Sequence, residues 1–302
     1  MKKILLFSFL AIIIPIFVTN IILKKNTNQL IYEENMQIRI KRKSGNIDVM
    51  PLEVYLIGVL AGEMPLTFTD EALKAQAIAS RTYALKKMEN NINNTYDVVD
   101  TVQNQVYLDE KYLKNAWKTE YEKNIARLKK IVSETRGIYL TYNGKTIESF
   151  YFSTSSGLTE NSEDIFGISL PYLQNVKSSW DNISPVYIES KKFTMKDFCD
   201  LLKITNDGYL KIEIIKRTNA GSVKTILINE KEYLGAKLVS DLNLNSANFD
   251  IAISNGEVLV TTKGYGHGVG MSQYGAQAMS LLGYNYQEIL KYYYKDVEFK
   301  KI

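Results

Sequence analysis

Glu63 in "LAGEMP" stands where an apolar run ends, one residue after Gly62 and two before Pro65. Proline cannot continue a helix, so this carboxylate falls at a helix C-terminus and faces the negative end of the helix dipole. That dipole, with burial among Leu60, Met64 and Leu66, favours the protonated carboxyl that a general acid needs. The competing reading is an exposed glutamate in a helix-ending turn. Downstream, "EALKAQAIASRTYAL" sets Lys74 and Arg81 seven residues apart, two turns along one helix face. Small Ala77 and Ile78 between them leave room for a carboxylate or acetamido group, although a solvated face is the commoner fate of such a pair. The sole histidine, His267, lies in "GYGHGVGMSQYGAQ" among Gly264, Gly266, Gly268 and Gly270. Those glycines permit positive φ and close backbone approach, so His267 sits either on a tight loop whose amides face a ligand or in a flexible turn.

Other chemistries are weaker. Ser155 or Ser272 could pair with His267 as a hydrolase nucleophile, but no G-x-S-x-G elbow is present. One cysteine excludes an internal disulfide, and one histidine with one cysteine excludes a conventional zinc site. Cys199, in the amphipathic "MKDFCDLLKI", reads as a small buried hydrophobe. No βαβ unit with a trailing acid surrounds the glycines, which excludes a dinucleotide fingerprint. Tyr151, Tyr172, Tyr265 and Tyr274 read as platforms for sugar rings or as ordinary packing. The net charge of +4 comes with no Lys/Arg run in a nucleic-acid motif, so no nucleic-acid partner is indicated. A weakly basic surface suits an anionic polymer such as a cell wall.

The elements that must position these residues are legible in outline. Residues 4–23 are uncharged, flanked by lysine pairs, and long enough to cross a bilayer as a helix; they lack a small-x-small cleavage site. The sequence therefore predicts residues 1–25 as a membrane anchor, with Lys2 and Lys3 on the cytoplasmic side and the body outside. Residues 26–38 form a linker, and 39–302 the catalytic region. "MQIRIKRKSGNIDVM" predicts strand, turn and strand. "PLEVYLIGVLAGEM" predicts a helix with Pro51 at its first position, and a second helix runs from about Asp70 to Glu89 with Thr69 as N-cap. Asn143-Gly144 marks a hairpin. Mixed strand and helix patterns suggest a smaller subdomain at about 190–262, and two helices close the chain, the second with Asn285 and Glu288 in capping-box spacing. The fold class expected is α+β: an N-terminal transmembrane helix, then a mixed extracytoplasmic body with a smaller inserted subdomain.

The blocks "PLEVYLIGVLAGEMP", "EALKAQAIASRTYAL", "STSSGLTENSEDIFG", "PYLQNVKSSWD" and "GYGHGVGMSQYGAQAM" together resemble the stage II sporulation protein D family. The resemblance implies a membrane-anchored lytic transglycosylase at the sporulation septum. It would act from the mother-cell membrane on peptide-free peptidoglycan strands during forespore engulfment, with stage II sporulation proteins P and M. It implies Glu63 as the catalytic acid and base, and Lys74, Arg81, Tyr172 and His267 as substrate-binding residues. Gln174 stands where some relatives have lysine, and the loop "STSSGLTE" lacks the cysteine and histidine with which some relatives bind zinc, so no metal or other cofactor is expected. A paralogous group implies a rival reading, a noncatalytic amidase enhancer or wall-binding protein. A glycan hydrolase pairing Glu63 with Glu160, Glu163 or Asp164 is the third.

Overall fold

The computed structural model describes residues 36–205 and 208–302. The segment read as a membrane anchor, residues 1–25, lies outside the described residues. The expected architecture is corrected accordingly: the described fold is mixed α/β, and no helix within it is long and apolar enough to cross a membrane.

A hairpin of β1 (Gln37–Lys41) and β2 (Ile47–Pro51) runs directly into α1 (Leu52–Glu63). Pro51 ends the strand and takes the N-cap position, so the helix begins one residue later than expected. Thr69 then caps α2 (Asp70–Asn90), its hydroxyl accepting from the Ala72 amide, with Asp70 and Glu71 in the first turn. This helix is buried almost all round from Ala72 to Leu85, because it is the axis of the molecule rather than a surface helix. It packs against α1 and, later in the chain, against α4 (Tyr121–Glu134), which follows β3 (Val98–Val99) and α3 (Glu110–Trp117).

Next, β4 (Ile138–Tyr142) turns at Asn143 and Gly144, both at positive φ, into β5 (Lys145–Thr146). Two positive φ values in succession define the tight turn that matches strand twist, which is why Asn-Gly occupies it. The chain continues through β6 (Tyr151–Phe152) and the short α5 (Ser162–Phe166) to β7 (Ile188–Thr194).

Beyond β7 come α6 (Met195–Leu202), β8 (Ile212–Arg217), β9 (Val223–Ile228), β10 (Lys231–Leu234), α7 (Gly235–Asp241), β11 (Phe249–Ser254) and β12 (Glu257–Lys263). They enclose a core of their own, including Phe198, Cys199, Ile226, Phe249, Val258 and Val260. The entry strand β7 pairs antiparallel with the exit strand β12, from Ile188↔Lys263 to Thr194↔Glu257. The chain thus leaves the unit beside the point where it entered.

The glycine stretch follows, then β13 (Met271–Ser272), parallel to β6, then α8 (Gln273–Leu281), α9 (Tyr286–Tyr293) and β14 (Glu298–Lys301), antiparallel to β4. The Asn285/Glu288 capping box is formed. Both closing helices pack on α2 and complete the larger core, which runs from Ile38 to Val297.

Candidate active site

Glu63 is the last residue of α1, and a crossing strand of backbone holds it. On α1, Gly58 and Gly62 are one turn apart, so they stack on one face. A Cβ at Gly62 would lie 2.7 Å from the Val106 carbonyl oxygen, and one at Gly58 would lie 2.4 Å from the Tyr107 ring. The missing side chains let the 106–108 segment lie against the helix, where the Leu108 amide donates to the Gly58 carbonyl at 3.2 Å. The same approach brings the Val106 amide to Glu63 Oε1 at 2.6 Å.

Glu63 lines a cleft of about 520 Å³. Burial pushes its carboxyl up to about 7, against the opposing hydrogen bonds from the Val106 amide and the Gln273 and Tyr151 side chains. The Tyr151 hydroxyl accepts from Gln105 Nε2 at 3.0 Å, and Gln105 Oε1 accepts from the Tyr55 hydroxyl at 3.1 Å. The acid therefore ends a buried polar chain that fixes its position. Glu63 is the one carboxylate among the described residues lining the cleft, and no lysine or arginine joins it. Phe166 and Tyr265 stand 40% and 46% exposed at its walls, as aromatic faces for an apolar ring surface.

His267 lines the same cleft, so the first and last candidate residues do meet. Its ring packs among Phe166, Phe152 and Phe150, with centroids 5.4, 5.8 and 6.1 Å away. Desolvation there lowers its pKa to about 4, despite a hydrogen bond to the Tyr151 backbone. It is neutral at physiological pH. Nδ1 accepts from the Val269 amide at 3.1 Å, so the ring proton sits on Nε2. The ring is engaged by the backbone of Val269 and of Tyr151, which makes His267 a brace for the glycine loop and gives the cleft a ring surface rather than a charge. The loop itself is pressed close: a Cβ at Gly270, whose φ is +83°, would lie 2.0 Å from the Phe150 carbonyl oxygen.

The other three candidates lie elsewhere. Arg81 is fully buried; Nε and Nη2 each donate at 2.7 Å to the two oxygens of Glu53, and Nη1 donates to the Ile138 carbonyl at 3.1 Å. It ties α1, α2 and β4 together. Lys74 bridges α2 to α4, with Nζ 2.8 Å from Glu134 and 3.0 Å from Glu71; Glu134 first and then Glu71 push it up to about 12. Neither lines the cleft with Glu63, and the face between them is filled: Ala77 and Ile78 have no exposure. Tyr172 does not line the cleft either. It is 8% exposed, stacks obliquely on Tyr142, and its hydroxyl accepts from the Glu148 amide at 3.1 Å.

The serine pair also has another use. Ser272 Oγ donates to Asp181 Oδ1, and the Ser155 amide donates to the same oxygen at 2.7 Å. Glu160, Glu163 and Asp164 do not line the cleft. Among the described residues, no group of three or more His, Cys, Asp and Glu is placed to hold a metal ion. Gln105, Val106, Tyr151 and Gln273 complete the surroundings of Glu63. Of these, only the tyrosine stood out in the sequence, since a backbone amide and two glutamines carry no pattern of type or spacing.

The family model for stage II sporulation protein matches residues 41–142, the segment that carries Glu63, both core helices and Val106. Stage II sporulation protein D of Bacillus subtilis (strain 168) is 42% identical over 258 residues, covering 84% of this chain and 75% of that protein. Its namesake in Bacillus amyloliquefaciens is 39% identical over 280 residues, covering 91% and 81%. The amidase enhancer of Bacillus subtilis (strain 168) is 30% identical over 294 residues, but only 39% of that protein is covered. With identity at that level across most of both chains, this protein belongs to the stage II sporulation protein D family.

Proposed function

We propose that the protein is a peptidoglycan lytic transglycosylase that remodels cell wall during sporulation. It would work outside the cytoplasm, where that polymer lies, with stage II sporulation proteins P and M as its companions. The observation that carries this reading is the single desolvated carboxyl of Glu63, half-protonated near pH 7, in a cleft lined mostly by aromatic and amide side chains. A hydrolase of the usual kind needs a second carboxylate to activate water or attack the sugar. Intramolecular ring closure needs only one. Glu63 gives its proton to the bridging oxygen between N-acetylmuramic acid and N-acetylglucosamine as the bond from that oxygen to muramoyl C1 breaks. The muramoyl C6 hydroxyl bonds to C1, and the Glu63 carboxylate takes the hydroxyl proton. Glu63 ends protonated, no water is consumed, and the product carries a 1,6-anhydro ring. Phe166 and Tyr265 stack the rings, while Val106, Gln273 and Tyr151 hold the carboxyl in place.

The name of the amidase enhancer relative supports a second, noncatalytic reading, and one experiment separates the three. Peptide-free glycan strands are incubated with the purified protein and with Glu63→Gln, and the products are weighed by mass spectrometry. Anhydromuramoyl ends from wild type, reduced about 10²–10⁴-fold in the variant, are expected. Reducing ends from wild type would identify a hydrolase, and no products from folded protein would favour the enhancer reading.

A further inference from the structure

Gln76 and Ser80 on α2, and Gln105 just before Val106, have no exposure at all. Polar side chains in a core destabilise it unless they are hydrogen-bonded, so the partners of these three matter. They are linked to Glu63 through Tyr151 and Gln273, and the chemistry of each partner decides which atom donates.

The Ser80 carbonyl can only accept, so the Gln105 atom 3.3 Å from it is the amide nitrogen. With its second proton that nitrogen donates to the Tyr151 hydroxyl at 3.0 Å, while Gln105 Oε1 accepts from Tyr55 at 3.1 Å. The Ser80 hydroxyl accepts from Gln76 Nε2 at 3.0 Å and hydrogen-bonds in turn to Tyr151. A phenol oxygen has two lone pairs and one proton. With Gln105 and Ser80 on the lone pairs, the proton is left for the remaining partner, Glu63. Gln273 follows the same rule. Gln76 commits its nitrogen to Ser80 and offers only an oxygen, which holds the Gln273 nitrogen at 3.5 Å and leaves that nitrogen's other proton for Glu63.

We propose that Gln105 and Ser80 are positioning residues that turn the Tyr151 hydroxyl toward Glu63, so that the core supplies a hydrogen bond to the carboxylate formed when the proton leaves. The proposal rests on the reading of Glu63 as the proton donor. A hydrogen bond to an ionised acceptor is about twice as strong as one to a neutral acceptor, so this one strengthens as the glycosidic oxygen takes the proton. Glu63 is thereby a stronger acid than burial alone would leave it. The titratable groups facing it are Tyr55 on its own helix, Tyr83 on α2 and Tyr151 on β6, with Tyr265 and neutral His267 also lining the cleft. None is a lysine, an arginine or a second carboxylate, so hydrogen bonds, rather than a neighbouring cation, oppose the desolvation.

The full chain is labelled with carbon-13 at its glutamate carboxyls, and the Glu63 resonance, identified by its loss in Glu63→Gln, is titrated by NMR. The wild-type midpoint is expected near 7. Tyr151→Phe should raise it by about one pH unit, the shift that follows from losing one hydrogen bond to a charged group. Gln105→Met should raise it by a comparable amount and Ser80→Ala by about half as much, since each frees the Tyr151 proton to turn away. A midpoint unmoved by Tyr151→Phe overturns the hydrogen bond, and one that moves in Tyr151→Phe alone overturns the positioning role of Gln105 and Ser80. Ser80→Ala removes a single oxygen and decides the question if Gln105→Met does not fold. In turnover of peptide-free strands, Tyr151→Phe should lower kcat about tenfold at about pH 6 with KM unchanged, and the alkaline limb of kcat/KM should move with the NMR midpoint. A rise in KM alone would make Tyr151 a ligand contact and overturn the assignment. If wild type yields no anhydro products while the midpoint shifts are present, the catalytic reading fails and the positioning of Tyr151 stands.

Discussion

Replacing Glu63 by glutamine tests two consequences of one desolvated carboxyl. Its folded pKa of about 7 lies above the ordinary 4.5, so the folded protein binds more protons than the unfolded chain between those values. Stability from this group must fall as pH rises from about 4.5 to 7 and then level off, with a difference on the order of 3 kcal/mol. Glu63→Gln should therefore be more stable than wild type at pH 8, by about 1–3 kcal/mol in urea unfolding, while the two converge near pH 4. Asp181, raised to about 6 by burial, adds a slope of the same sign that the variant keeps. For wild type, kcat/KM should fall tenfold per pH unit above about 7 as the acid loses its proton. Arg81 makes the opposite case. Arg81→Ala strands Glu53 in a partly buried site and should cost about 3–5 kcal/mol in the same unfolding assay. Loss of glycan binding with stability intact would instead restore Arg81 as a ligand contact.

At the scale of elements, the site depends on how closely α1 and the 106–108 segment approach. Gly62→Ala puts a Cβ into the Val106 carbonyl and pushes that segment away from the helix. The Val106 amide bond lowers the Glu63 pKa, so loosening it should raise that pKa further. The expected result is an alkaline limb of kcat/KM displaced to higher pH, with a stability loss of about 1–3 kcal/mol from overpacking. An unmoved limb would show that the amide does not tune the acid. The sequence displayed α1, α2, the Thr69 cap and the Asn-Gly hairpin, because apolar periodicity, Thr69 and the Asn143-Gly144 pair act over a few residues. It did not display the Gly58/Gly62 groove as a seat for Val106, because the contact is far apart in sequence: Val106 lies 43 residues from the Glu63 carboxylate it bonds.

Across the whole molecule, the inserted unit is coupled to the cleft through Glu160. The Thr218 hydroxyl, in the turn before β9, donates to Glu160 Oε1 at 2.8 Å, while the Glu160 amide donates to the Gly268 carbonyl at 2.7 Å. Burial raises the Glu160 pKa, so the carboxyl serves as a dry junction between subdomain and glycine loop. Thr218→Val removes the donor at a cost of about 1–2 kcal/mol. Hydrogen exchange at 264–270 should then quicken while the core amides of β11 and β12 stay protected; an unchanged loop would deny the coupling. The sequence by itself determined the local chemistry: a carboxyl at a helix end, a histidine set among glycines, caps and turns, and the family blocks. Only the tertiary structure decided which candidates meet. Lys74 and Arg81 share a helix face by spacing, but α2 is the molecular axis, so Arg81 is buried against Glu53, while the partly exposed Lys74 pairs with Glu134 and Glu71 at the seam with α4. Glu63 and His267, 204 positions apart in the chain, line one cleft because α2 gathers α1 and α8 around it and the β13–β6 pairing draws the glycine loop alongside. Periodicity records which face of an element is apolar, and it carries no information about what that face will meet.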